Sequence, residues 1–125
     1  MLKFRVFDKF NHCFMYSDQF SSLAGFFDDF LSAKNGGNNP ILEQWSTFHD
    51  TENKEIFAGD IVTNGSLNFL IVFNRGCFCA QNEAGNIYTL FDFFGPHWRG
   101  NASISCRKIG DVHFNRELFK GKYER

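Results

Sequence analysis

Proline is scarce in this 125-residue chain, with 2 against 11 glycines. No internal repeat or low-complexity segment breaks it, which excludes a fibrous or repeat architecture. Nowhere do about 18 apolar residues run together, so the hydropathy pattern holds no membrane-spanning helix. There is no excess of one charge either. Thirteen basic and 14 acidic residues leave a net −1 and a pI near 6.4, so no global positive field draws nucleic acid or an anionic membrane. Lys3, Arg5, Asp8 and Lys9 interrupt every apolar pair at the start, which leaves no signal-peptide core and predicts a cytoplasmic protein. Cysteine is limited to positions 13, 77, 79 and 106, expected as reduced thiols.

What is abundant is phenylalanine, with 18 residues beside 3 tyrosines and 2 tryptophans. Hydrophobic residues reach 43% in a chain of 14.5 kDa, enough for one ordinary domain with its own core. The opening alternates, with Phe4 and Val6 on one face and Lys3, Arg5 and Asp8 on the other. This predicts a strand, a turn at Lys9–His12 and a second hairpin arm at Cys13–Tyr16. Ser17 or Asp18 is placed to cap a short helix to about Leu31, its stripe made of Phe20, Leu23, Phe26, Phe27, Phe30 and Leu31. Residues 34–40, rich in Gly and Asn and ending in Pro40, read as a loop. About 33 residues before it are too few for a separate core, so the reading is a single domain over 1–125.

Short strand-like runs follow at 41–48, 54–57, 61–62, 69–73, 77–81, 87–91, 104–109 and 112–114, with a helical turn near 117–123. Glycine-bearing turns at this spacing predict an α+β, mainly β fold, an SH3-like pseudobarrel of short antiparallel strands with one or two small helices.

Three ordered stretches resemble the YopX family of phage and prophage proteins. The central one, Leu42 to Val62, is similar to a pattern Q-x-T-G-L-x-D-x-N-G-x-x-I-Y-x-G-D-I-V. Leu2–Asp8 resembles an opening I-K-F-R-x-W-D strand, and Ile109–Phe119 a closing I-G-N-I-Y-x-N-P-E-L-L stretch. Thr47 and Asn53 stand where the pattern has glycine, Phe48 where it has leucine, and Arg116 where it has proline. The resemblance implies a mainly β pseudobarrel and a phage or prophage origin. It implies no activity and carries over no catalytic residue.

Physical reading of the motif gives a structural corner: Gly59 permits a tight bend, Asp60 accepts amides of its own turn, and Ile61 and Val62 enter a strand. Cys77 and Cys79 share a strand face. One loose pair with Cys106 lacks the spacing of a zinc site, so small buried hydrophobes are expected, with no metal and no cofactor. His49–Asp50 and Asp111/His113 are the histidine–carboxylate pairs, the latter expected on one strand face in reach of general-base work. No nucleophile elbow, phosphate loop or zincin helix accompanies them, so no enzyme is expected.

The aromatic Gly-Pro loop carrying Phe94, His97, Trp98 and Arg99 is the candidate interaction site, since these types dominate binding hot spots. Residues 26–60 carry net −5 and residues 99–125 net +4. The basic third, with Arg107, Lys108, Arg116 and Lys120, is the alternative, a nucleic-acid-binding face. Protein contact is the favoured reading, through a homo-oligomer or a host or phage protein.

Overall fold

The computed structural model describes residues 2–90 and 103–121. Nine strands are described: β1 Phe4–Asp8, β2 Cys13–Tyr16, β3 Ile41–His49, β4 Glu55–Phe57, β5 Asp60–Thr63, β6 Asn68–Asn74, β7 Cys77–Asn82, β8 Ile87–Thr89 and β9 Arg107–Asp111. Helix α1 spans Leu23–Asn35. Strand order is β2-β1-β3-β4 in one antiparallel sheet and β8-β7-β6-β5-β9 in the other, and one of the two curls into a half-barrel. The expected α+β, mainly β class holds. Two compact units are present, Met1–Trp45 and Ser46–Arg125.

In the first unit the hairpin forms as its alternation requires, with Val6 opposite Met15 and Phe7 opposite Phe14. The Asp8 carboxylate closes the turn, accepting from the amides of Phe10 and Asn11 and from the Asn11 side chain. The Asn11 side chain, then its amide, holds that carboxyl below its ordinary value. His12 takes φ 52°, the left-handed conformation the turn demands.

The helix differs from expectation. Ser17–Gln19 form a separate 3₁₀ turn, and the Ser17 hydroxyl instead accepts from the Phe4 amide at 2.9 Å. Ser22 is the N-cap, its hydroxyl accepting from Gly25 N at 3.0 Å, and the helix continues to Asn35 before Gly36. Competing local bonds at 17–19 displaced the start by four or five residues, and Lys34 fits the negative helix end. Phe26 is fully buried and stacks edge-on with Phe20 and Phe27, and Phe27 with Phe4. Leu31, expected on that stripe, is exposed.

Arg5 is the larger correction. It is not on a solvated face: it is 1% exposed, and its guanidinium lies 4.2 Å from the Phe14 ring centre and bonds to Glu43 on β3. A cross-strand carboxylate and an aromatic face replace its water. Both faces of β1 are therefore buried.

In the second unit the five-stranded sheet is covered on both faces. Val62, Phe69, Ile71 and Ala80 join Ile56, Leu90, Ile104 and Cys106 on one side. Ile61 and Leu70 join Val112 and Phe119 on the other. The β6–β7 turn uses Arg75 and Gly76 at φ 51° and 83°, the left-handed pair of a tight hairpin.

Two termini of the expected strands moved. The 104–109 run is regular only from Arg107, since Ile104 is spent on a single bond to the His49 carbonyl. Residues 112–114 turn instead of extending. Opposite β5, β9 carries one extra residue: Ile61 faces Gly110 and Val62 faces Lys108. This bulge bends the strand toward its turn.

Inside β3, Thr47 has φ 72°. A β-branched residue there is a backbone outlier. Beside it the Ser46 hydroxyl donates to Ile56 O at 2.6 Å and accepts from Phe48 N at 3.1 Å. The kink thus aims Ser46 inward.

Candidate functional site

Among the described residues of the second unit, a buried polar group gathers around Lys108. Its strand places Lys108 opposite Val62, while Asp60 begins β5 immediately after Gly59, whose φ of 96° makes the bend. The Lys108 ammonium lies 3.0 Å from Asp60 Oδ2 and also donates to Glu55 O at 3.3 Å. Asp60, with no exposed surface, accepts from the Phe57 amide at 2.7 Å as well. The corner reading of Gly59-Asp60 holds in this geometry.

Asp50 is the second organiser. Its Oδ1 accepts from the amides of Glu52 and Lys54, each at 2.8 Å, and its Oδ2 from the amide of Lys108 at 2.8 Å. One buried carboxylate therefore shapes the 50–54 turn and ties it to a strand 58 residues away in sequence. Asn53 sits at φ 63° in that turn, which asparagine tolerates.

Asp111 and His113 do not share a strand face. Asp111 Oδ1 accepts from the backbone amides of His113 and Phe114 at 2.9 and 3.0 Å, so the carboxylate builds a turn. The amide of Asp111 in turn bonds to Asn115 Oδ1, against which Gly110 packs so closely that a Cβ would lie 2.5 Å from that oxygen. Among the described residues of the second unit, the three buried carboxylates Asp50, Asp60 and Asp111 each accept from main-chain N–H groups, which is chemistry of positioning.

The basic candidates separate. Lys108 is held by Asp60, while Arg107 is its neighbour on β9 and points to the opposite face. Arg116 donates to the carbonyls of Phe119 and Gly121, and the Lys120 amide donates to Glu83. Arg107, Arg116 and Lys120 are exposed. Phe94, His97, Trp98 and Arg99 lie outside the described residues.

Of the cysteines, Cys79 and Cys106 are buried, but Cys77 and Cys13 are exposed, against the expectation for Cys77. The Cys77 and Cys79 sulfurs touch at 3.6 Å. Cys106 belongs to the cluster on the other face of the sheet, which keeps it from joining them. Among the described residues no three His, Cys, Asp or Glu side chains gather to hold a metal. No described helix is long and apolar enough to cross a membrane.

An aromatic surface was missed by sequence reading. Phe73 pairs with Phe78 across β6 and β7, ring centres 4.9 Å apart, and Tyr88 stands opposite Ala80 on β8. Strand alternation puts Phe73, Phe78 and Tyr88 on one sheet face. Phe78 packs on the core, whereas Phe73 is 55% and Tyr88 41% exposed. Alternation in β6 signals the face, while the reach of the core beneath it is set by tertiary packing.

The fold is similar to that of protein EF1440 from Enterococcus faecalis, a crystal structure matched with a TM-score of 0.55 at 13% identity, over 95% of this chain and 98% of that one. No curated protein sequence matches the chain. The profile described as YopX protein matches residues 3–120. That match takes in nearly the whole chain, the Gly59-Asp60 corner included, and the chain belongs to the YopX family.

Proposed function

We propose that this protein is a non-enzymatic phage or prophage accessory protein, cytoplasmic, that acts by protein–protein contact through self-association or on a host factor. The observation that carries the reading is the exposure of Phe73 on β6 and Tyr88 on β8, on the same face of the sheet on either side of β7. Exposed large aromatics on one face of a sheet bury much area on contact at low entropic cost, which is the chemistry of interface anchors. The curled sheet is read as an SH3-like pseudobarrel, whose role is to hold that face rigid. Use of Asp50, Asp60 and Asp111 as main-chain acceptors agrees with a binding role. Pairing of Lys108 with Asp60 removes one of four cations from the alternative nucleic-acid face, which favours protein over nucleic acid.

The test is a tagged pull-down from bacterial lysate with and without nuclease, beside the native mass of the pure protein. A stoichiometric protein partner or a dimer, insensitive to nuclease and lost on Phe73→Ala or Tyr88→Ala, supports the reading. Capture that vanishes with nuclease, or a monomer with no partner, overturns it.

A further inference from the structure

We propose that Cys77 and Cys79 form a redox-modifiable dithiol, an exposed attacking thiol beside a buried resolving thiol, that closes a reversible disulfide along β7. The two residues stand opposite Asn74 and Val72 on β6, on the same face, and their sulfurs are in contact at 3.6 Å. Cys77 is exposed and Cys79 buried, so a small disulfide reaches the first and not the second.

The chemistry divides accordingly. The Cys77 thiolate attacks one sulfur of a small disulfide of the oxidised-glutathione class, and the S–S bond breaks. A mixed disulfide forms and one glutathione thiolate leaves. Cys79 then gives its proton to solvent and attacks the Cys77 sulfur, expelling the second glutathione. The protein loses two electrons and two protons, and the small disulfide becomes two thiols. Burial first, then the hydrogen bond and charge of Cys77, push the Cys79 thiol up to about 11, which makes it a poor first nucleophile. Its attack becomes effective only when the mixed disulfide is held against it.

A disulfide suits this face better than a soft metal. The acceptors beside the sulfurs are carbonyls, Asn74 O at 3.4 Å from Cys77 and Cys77 O at 3.8 Å from Cys79. They accept from the S–H groups of the reduced pair and disfavour two thiolates held together, which a metal needs, whereas disulfide exchange uses one thiolate at a time. Strand geometry sets the lability. Residues two apart on a strand have Cα atoms about 6.7 Å apart, at the long limit of disulfides. Closure therefore puckers β7 at Phe78, and strained bonds of this kind are the readily reduced, regulatory ones.

The experiment incubates the intact protein with mixtures of oxidised and reduced glutathione, followed by acid quench, alkylation, digestion and mass spectrometry. The peptide holding both cysteines is expected to become lighter by two hydrogens and to revert on adding dithiothreitol. Cys79→Ser is expected to stop at the mixed disulfide on Cys77, and Cys77→Ser to slow modification of Cys79 about tenfold or more. If either variant fails to fold, the wild-type peptide decides alone. A mixed disulfide persisting on Cys77 with Cys79 still a thiol overturns the proposal, and so does a pair left unmodified.

Discussion

Arg5 Nε donates to Glu43 Oε1 across 2.8 Å, and neither side chain keeps more than 1% of its exposure. Removing one partner strands the other charge in the interior, which typically costs about 3–5 kcal/mol. Glu43→Ala is expected to be severely destabilised in urea unfolding. The double change Arg5→Met with Glu43→Leu is expected to recover most of the loss, because well-packed apolar pairs replace buried ion pairs at little cost. A double variant no better than Glu43→Ala would show that the pair does more than neutralise itself.

Thr47 holds φ 72° at a position where the family pattern has glycine. Left-handed conformation costs a β-branched residue about 1–3 kcal/mol, partly offset by glycine's greater unfolded-state freedom. Thr47→Gly is therefore expected to stabilise by about 1 kcal/mol. Asn53→Gly, at φ 63°, is expected to gain less, because asparagine tolerates the conformation. Equal or negative shifts in the denaturation midpoint would contradict the strain argument.

Lys108→Met removes the cation that faces the buried Asp60 carboxylate. With the ammonium part-exposed, the expected loss is about 1–3 kcal/mol. Lys108→Arg, which keeps the charge in a different shape, is expected to recover part of it. If Lys108→Met were neutral in thermal unfolding, the corner would rest on its main-chain bonds alone.

Gly110→Ala brings a Cβ within 2.7 Å of the Asn115 Cβ, too close for a flexible side-chain end to absorb. Asn115 must leave the Asp111 amide, so a loss of about 1–3 kcal/mol is expected. Hydrogen exchange at the Asp111 amide, faster in the variant, reports the same event; unchanged exchange would refute it.

Alkaline pH tests the buried thiol. Unfolded Cys79 titrates near 9.0 and the folded thiol near 11, so the folded state binds more protons between these values. Stability from this group is complete below pH 9 and is lost as pH rises through 11. Burial raises Cys106 in the same direction. Cys79→Ala is expected to show a shallower decline in denaturation midpoint from pH 9 to 11, whatever its midpoint at pH 7. An identical slope would remove Cys79 from the effect.

The sequence by itself determined the elements whose causes are local. The β1–β2 hairpin, the Arg75-Gly76 turn and the Gly59-Asp60 corner follow from alternation and from residues that tolerate positive φ, and all three are read within a few positions of the chain. Tertiary structure decided what depends on distant partners. Arg5 is buried because Glu43, 38 residues away, supplies a carboxylate. Lys108 left the basic surface because Asp60 and Asp50 converge on it. The 112–114 run is the exception, misread although its cause is local: Asp111 caps it, and a side-chain acceptor beats the strand ladder. Exposure of Phe73 and Tyr88 was equally hidden, since period-two alternation marks a face but not how far the core extends beneath it.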